Sequence, residues 1–317
     1  MPKIIQPPVA KIIPKKLEKF GNERIDNYFW LNDRKNPEVI DYLNQENDYY
    51  KKMTAHTKAF QKELFEEMKG RIKEDDESVP YLYNGYYYIT RFETGKNYPI
   101  YSRKKESLSA KEEIMFDCNK MAKGHPYFQL GGLSISPDNK LAIFSIDIVG
   151  RRIYDIQVKN LETGEILADK IEKVSGNAVW ANDNQTIFYS SQDEVTLRSD
   201  KIFKHKLGTK QDEDVLVYFE KDETYNVEVA KSKSRKYLAI ESGSTLTTEY
   251  RILEADNPDG KFRVFQKRVR GLEYSINHYG DSFYIMTNAD KATNFKLMKT
   301  LETATSKENW TEVVPHR

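Results

Sequence analysis

Residues 138–147 read "DNKLAIFSID", a polar turn followed by a short run of apolar residues. Asp-Asn is a turn-forming pair, and β-branched and aromatic residues are enriched in strands. The same order of turn and strand recurs in "NGYYYITR" (84–91), "DNQTIFYS" (183–190), "SRKYLAIES" (234–242) and "GDSFYIMT" (280–287). Successive turns are about fifty residues apart, a spacing typical of repeat architectures. The sequence therefore predicts a repeated β-unit.

A second amphipathic strand follows the first in each unit. Those strands lie in "PIYSRKK" (99–105), "YDIQVKNLETG" (154–164), "DKIFKHKLGT" (200–209), "TEYRILEADNPDG" (248–260) and "NFKLMKTLET" (294–303). Repeats of about 40 to 50 residues built from short strands are typical of β-propeller blades. A parallel β-helix has a much shorter period, and a sandwich does not repeat. The last of the five units is predicted to be short of strands.

Two amphipathic helices are predicted before the repeats. Asn36 can cap the first helix and Pro37 suits its first position, and the apolar periodicity then continues to about Thr54. A second apolar stripe runs from Phe60 to Ile72. We expect the apolar stripe of each helix to be packed. The fold class is thus mainly β, with a helical extension over residues 1–75 and an incomplete propeller over residues 76–317.

Composition excludes several classes of function. The 50 Lys and Arg residues nearly balance the 49 Asp and Glu residues, so the clustered positive field of a nucleic-acid-binding protein is missing. No apolar run is long enough to span a membrane, and prolines and lysines interrupt the first residues, where a signal peptide needs an apolar region. We expect a cytoplasmic protein with no cofactor, no metal and neither nucleic acid nor membrane as a partner. Cys118 is expected to be a buried inert thiol, and the acidic run 73–78 a solvated linker.

Several segments resemble oligopeptidase B, a branch of the prolyl oligopeptidase family of serine peptidases. They are "PPVAKIIPKKLEKFGNERIDNYFWLND" (7–33), "VIDYLNQENDYY" (39–50), the stretch from "GRIKEDDES" to "YSRK" (70–104), and the stretches 124–164, 218–250 and 283–298. The similarity runs nearly from end to end. It implies a seven-bladed propeller of which about five blades are present, covering a missing C-terminal α/β-hydrolase domain. The helical extension and the aromatic residues Tyr28, Phe29 and Trp30 would pack on that domain or at the propeller seam, although a local staple explains these aromatics equally well.

The resemblance implies that the intact enzyme hydrolyses short peptides after arginine or lysine, with the propeller excluding large proteins. Family members carry their serine on a G-x-S-x-G-type elbow, and no such elbow occurs here. The nearest match surrounds Ser244 and is predicted to end a strand. His125 is assigned to a turn, and His56, His205 and His278 are expected to be solvated. We therefore predict no catalytic residue in this chain.

Arg151 and Arg152 follow Gly150 in a turn between two strands. Guanidinium groups bind carboxylates with two parallel hydrogen bonds, so this pair is a candidate contact for a peptide or for the hydrolase domain. An ordinary surface pair is the simpler interpretation. Two alternatives to a peptidase half remain open, a stand-alone propeller acting as a binding or scaffold module and a propeller glycosidase, which needs two carboxylates across a cavity.

Overall fold

The computed structural model describes residues 5–316. The chain divides into two compact units between Glu74 and Asp75. The N-terminal unit contains the strands β1 (Lys15–Lys19) and β2 (Asn22–Asp26) and the helices α1 (Pro37–Met53) and α2 (Lys58–Gly70). Both predicted helices are therefore present.

The start of α1 is capped as the sequence predicts. The Asn36 side chain accepts a hydrogen bond from the Glu38 backbone N–H at 2.9 Å, and Pro37 occupies the first turn. In the aromatic cluster before the helix, Phe29 and Trp30 are half-buried and Tyr28 is exposed. Trp30 Nε1 donates to the Lys11 carbonyl at 3.0 Å, and the Lys15 ammonium lies over the Phe29 ring. Local contacts thus order this cluster.

The apolar faces of α1 and α2 remain largely exposed, against the expectation that they would be packed. Val39 is the buried residue of α1, and none of the residues of α2 is buried. Large side chains with at least 60% exposure lie along both helices and just after α2: Tyr50, Phe60, Phe65, Met68 and Ile72. A helix in water is stabilised mainly by burial of its apolar face, and these faces lack a partner within the N-terminal unit.

The C-terminal unit consists of antiparallel strands connected in chain order. Their bounds are β3 (Tyr81–Tyr83), β4 (Tyr86–Arg91), β5 (Ile100–Lys105), β6 (Glu112–Asp117), β7 (Gln129–Ile135), β8 (Leu141–Asp147), β9 (Tyr154–Asn160), β10 (Ile166–Trp180), β11 (Thr186–Gln192), β12 (Ser199–Lys206), β13 (Val215–Phe219), β14 (Asn226–Lys231), β15 (Tyr237–Gly243), β16 (Thr248–Glu254), β17 (Arg263–Val264), β18 (Tyr274–Tyr279), β19 (Ser282–Thr287), β20 (Lys296–Leu301) and β21 (Thr311–Val314). A short helix, α3 (Cys118–Met121), follows β6.

These strands form five groups that match the five repeats. Strands β3–β6, β14–β17 and β18–β21 make four-stranded sheets, which we call units 1, 4 and 5. The seven-stranded sheet β7–β13 holds units 2 and 3, which share β10: its first part pairs with β9 and its last residues pair with β11. Unit 5 has four strands, so the prediction that it is short of strands is wrong.

Each sequence repeat begins at the turn between the first two strands of a unit. We call the end of the sheets that carries these turns the hairpin end. Since the strands alternate in direction, the loops between the second and third strands lie at the opposite end, the loop end. The acidic run also joins this architecture, because the backbone of residues 76–78 pairs with the end of β4 instead of forming a free linker.

The core lies between neighbouring units. Phe116 of unit 1 packs against Phe144 of unit 2, with ring centroids 4.8 Å apart, and Phe265 of unit 4 packs edge-on against Phe283 of unit 5 at 5.0 Å. Cys118 is buried between units 1 and 2, and burial raises the pKa of its thiol to about 11. A neutral buried thiol is unreactive, as expected for this cysteine.

Candidate functional site

The loop that carries Arg151 and Arg152 is built around one buried carboxylate at the loop end of unit 2. Asp147 Oδ1 accepts hydrogen bonds from the backbone N–H groups of Val149 and Gly150, and Oδ2 accepts one from Arg152, all at 2.8 Å. Burial by itself raises the pKa of the Asp147 carboxyl, but these N–H donors outweigh it and the pKa lies below its usual range. The loop is therefore rigidly tied to the end of β8.

This construction points the arginine side chains away from the sheet. Arg151 and Arg152 are exposed, and their guanidinium groups form no hydrogen bond or ion pair with the rest of the described chain. Arg152 adopts a φ of 57°, a left-handed conformation that is uncommon outside glycine and asparagine. A contact with a peptide or with another domain stays a prediction for this pair.

A second arginine group at the loop end was missed by the sequence analysis. Arg268 and Arg270 line a cavity of about 540 Å³ in unit 4 together with Tyr225, the loop 244–247 and Asp222. Ser244 lies in this loop directly after β15, as predicted. Hydroxyl groups and guanidinium groups in one cavity suit a polar ligand such as a peptide backbone or a carboxylate.

Arg268 is held in place by a buried acid. Its Nη2 lies 2.5 Å from Glu220 Oε2 and 3.0 Å from Ser242 Oγ, and its guanidinium stacks on the Tyr225 ring at 3.7 Å. Burial opposes ionisation of Glu220, but the ion pair with Arg268 and the Ser242 hydroxyl lower the pKa of its carboxyl to about 2. A guanidinium that is stacked on a ring and bound to a carboxylate through one nitrogen is preorganised.

We expect the Arg268→Met variant to lose about 2 kcal/mol of unfolding free energy at pH 7, less than a fully buried pair because Arg268 is partly exposed. The loss arises because the Glu220 carboxylate stays buried without its partner. Since the folded pKa of Glu220 is depressed, the pair stabilises the protein above the ordinary glutamate pKa, and the effect disappears as the pH falls toward 2. Urea titrations at several pH values measure the difference.

Arg270→Met is the matched control for that prediction. Arg270 lines the same cavity but has no hydrogen bond or ion pair within the described residues, so its removal is expected to change stability by less than about 0.5 kcal/mol. Equal losses for the two variants would show that the Glu220 pair is not the cause.

Two histidines that the sequence analysis expected to be solvated are buried. His205 has an exposed fraction of 1% and His278 of 3%, whereas His56 and His125 are exposed. The alternation of a strand places both buried rings inward, and each finds a carboxylate there. Lys204 and Lys206 flank His205 in sequence, and this pattern wrongly indicated a solvated surface there.

His278 forms a chain of contacts with a serine and an acid. Ser234 Oγ lies 2.9 Å from His278 Nδ1, and Glu302 Oε2 lies 3.0 Å from Nε2. Glu302 is also bound by Lys236 Nζ at 2.6 Å, while Ser234 Oγ contacts Ser232 Oγ at 2.9 Å. A hydroxyl engaged in a tight turn and an acid neutralised by a lysine do not make an activated nucleophile. These residues connect units 4 and 5.

The described residues contain neither a metal-binding cluster nor a membrane-spanning helix. Among residues 5–316, no group of three or more His, Cys, Asp and Glu side chains is arranged to hold a metal ion. Within the same range, no helix is long and apolar enough to cross a membrane.

Comparison with known proteins agrees with this architecture. Residues 7–317 match the family model described as the prolyl oligopeptidase N-terminal β-propeller domain. The chain is 39% identical to dipeptidyl aminopeptidase BI of Pseudoxanthomonas mexicana, an alignment that covers 94% of this chain and 43% of that protein. It is 32% identical to protease 2 of Moraxella lacunata, over 92% of this chain and 43% of the relative.

The solved structures give the same result. Oligopeptidase B from Leishmania major superimposes with a TM-score of 0.89 at 31% identity, covering 98% of this chain and 46% of that one. Oligopeptidase B from Trypanosoma brucei superimposes with a TM-score of 0.88 at 29% identity. The chain thus spans less than half the length of these relatives. It belongs to the prolyl oligopeptidase family and corresponds to the N-terminal β-propeller domain of its members.

Proposed function

We propose that this chain is the N-terminal half of an oligopeptidase B-like serine peptidase. Five blades of a seven-bladed propeller and the helical extension would work with a C-terminal α/β-hydrolase domain that supplies the serine, aspartate and histidine. The propeller would limit substrates to short peptides, cleaved after arginine or lysine in the cytoplasm. The single observation that carries this proposal is the match of nearly the whole chain to less than half of its relatives.

The ends of the unit series support the proposal. The face of unit 1 that turns away from unit 2 exposes Leu82 (61%) and Ile114 (49%). The face of unit 5 that turns away from unit 4 exposes Met286 (52%) and Leu301 (53%). In the inner units, the corresponding face is covered by the neighbouring unit. The outer faces of units 1 and 5 are therefore the places where two further blades would pack.

The exposed helix faces of the N-terminal unit support a contact with the hydrolase domain. The exposed apolar side chains of α1 and α2, among them Phe60, Phe65 and Met68, are what a helix pair presents to a domain that it normally covers. We propose the hydrolase domain as that partner. Arg151 and Arg152 would then act at the loop end as contacts to the substrate or to that domain.

A second specificity is favoured by one comparison. The relative that shares 39% identity with this chain is a dipeptidyl aminopeptidase. Removal of dipeptides is therefore the second candidate activity for the intact protein. A stand-alone propeller module remains the alternative from another class of function.

Fluorophosphonate labelling tests the absence of a nucleophile. Residues 1–317 alone are expected to remain unlabelled, because the Ser234 hydroxyl beside His278 is also engaged by Ser232 in a tight turn and the acid behind the ring, Glu302, is neutralised by Lys236. Ser234→Ala is the control that identifies any label on this serine, which among residues 5–316 is the one in hydrogen-bond contact with a histidine. Covalent labelling of the wild-type chain would contradict the proposal.

Addition of the missing half is the complementary measurement. A C-terminal half from a relative, with its two blades and hydrolase domain, supplied in the same tube, is expected to reduce binding of a hydrophobic dye to the exposed faces and to give hydrolysis of short basic peptides. A monodisperse monomer that binds little dye, and that gains nothing from the added domain, would favour the stand-alone module instead. Hydrolysis of dipeptide-releasing substrates only would select the second specificity.

A further inference from the structure

The first turns of units 1 to 4 are linked by side-chain hydrogen bonds at the hairpin end. Asn84 Nδ2 donates to Asn139 Oδ1 at 3.0 Å, which joins units 1 and 2. Asn184 Oδ1 accepts from the Asp138 backbone N–H at 2.9 Å, which joins units 2 and 3. Asn182 Nδ2 donates to the Arg235 carbonyl at 3.1 Å, which joins units 3 and 4, so the series runs through four turns.

Arg235 closes this series into a circuit. Its Nη1 donates to Asn84 Oδ1 at 2.6 Å, and its guanidinium lies 5.7 Å from the centre of the Tyr83 ring. Residues 84 and 235 belong to units 1 and 4, and units 2 and 3 lie between them in the order of packed sheets. The side chain therefore spans the space enclosed by the first strands of the four units.

Arginine is an unexpected residue for the backbone conformation at position 235. Asn84, Asn139 and Asn184 all adopt the left-handed conformation at this position of their turns, with φ between 49° and 65°. Arg235 adopts a φ of 65° in the same position, where asparagine or glycine is favoured and arginine is strained. Strain that persists at one position of a repeat indicates a role for that side chain.

We propose that Arg235 is a latch that fixes unit 1 to unit 4 across the enclosed space and keeps the hairpin end closed. A longer residue at this one turn reaches where asparagine cannot, and a charged donor strengthens the contact with the Asn84 carbonyl oxygen. With this end closed, a peptide enters the enclosed space from the loop end, where Arg151 and Arg268 lie. The latch itself does not depend on the function proposed above, because it is measured on residues 1–317 without any activity.

Arg235→Asn tests the proposal, because relief of backbone strain and loss of the latch change the stability of the protein in opposite directions. Arg235→Asn removes backbone strain, so relief of strain alone stabilises the protein. Loss of the latch instead raises the unfolding equilibrium constant about tenfold, the lower end of the effect expected for one hydrogen bond to a charged group. The same variant is expected to speed amide hydrogen exchange across residues 83–86. Urea titration and exchange mass spectrometry report the two effects.

Two further variants distinguish the latch from a local effect on the turn. Arg235→Lys keeps a charged donor at the same position of the turn and leaves Asn84 intact, so it is expected to retain at least half of the stability that Arg235→Asn loses. Lys233→Ala, in the same turn and exposed, is expected to leave both measurements unchanged. Stabilisation by Arg235→Asn with unaltered exchange at residues 83–86 would overturn the proposal, as would a Lys233→Ala variant that reproduces the loss.

Discussion

Replacement of His205 by leucine is expected to destabilise the C-terminal unit by about 3–5 kcal/mol, the usual cost of removing one partner from a buried ionic group. The His205 ring bridges two carboxylates: Nδ1 lies 2.6 Å from Asp214 Oδ1 and Nε2 lies 3.3 Å from Asp169 Oδ1. Tyr189 Oη donates to the second oxygen of Asp214 at 2.8 Å. Leucine fills much of the same volume but leaves both acids without a cation.

The pH dependence of the wild-type protein follows from the same contacts. Burial disfavours the charged ring, but hydrogen bonds and charge from Asp214 and Asp169 outweigh it and raise the pKa of His205 above its ordinary value. The stabilising contribution is complete below the ordinary histidine pKa of about 6.5 and is lost as the pH rises through the raised folded value. In His205→Leu, the unfolding free energy should no longer fall as the pH rises through this range.

Urea unfolding followed by tryptophan fluorescence at pH 6 and pH 9 measures both effects. His125→Leu is the control, because His125 is exposed and lies outside the core, and surface changes of this kind alter stability by less than about 0.5 kcal/mol. Similar stability curves for His205→Leu and the wild type would show that the ring is not charged in the folded protein.

The architecture was predictable because the turns repeat. Asn84, Asn139, Asn184 and Arg235 occupy equivalent turns, and a short apolar strand follows each of them. Local propensity, spacing and the need to cover each sheet face all point to stacked antiparallel units. Helix α1 was predictable because its Asn36 cap agrees with its apolar period, and α2, which has no side-chain cap, was predictable from its apolar period.

The polar sites were not predictable, because their partners come from distant parts of the chain. Arg268 lies 48 residues from Glu220, and Arg235 lies 151 residues from Asn84. No short sequence motif indicates a contact that forms only when the units stack. The lysine-rich sequence around His205 likewise hides the inward direction of its side chain, although the alternation of β12 gave a usable signal.

No pattern in the sequence indicated that two units share β10. This strand spans 15 residues, pairs with β9 at its start and with β11 at its end, and changes register in between. Gly132 of β7 permits the close approach to β10 at this point, since a Cβ on Gly132 would lie 2.4 Å from the Gly176 carbonyl oxygen. A repeat pattern shows where units begin, but it does not show whether the chain leaves the sheet between them.

Replacement of Trp180 by alanine is expected to cost about 3–5 kcal/mol, the range for removing a large buried aromatic side chain. Trp180 ends β10 and has an exposed fraction of 1%. Its ring packs among residues of both units that share the strand, including Ile143 and Ile187. Its Nε1 also donates to the Ser134 carbonyl of β7 at 3.1 Å.

Trp180→Phe separates packing from hydrogen bonding at this junction. Phenylalanine retains most of the apolar contact but leaves the Ser134 carbonyl without its donor, so we expect a smaller loss of about 1–2 kcal/mol. Urea unfolding followed by circular dichroism is the suitable measurement, since both variants remove a tryptophan. If the ring holds units 2 and 3 together, hydrogen exchange should quicken in both β7 and β11 of Trp180→Ala. Faster exchange confined to one of these strands would mean that the two units are held together by the shared backbone of β10 alone.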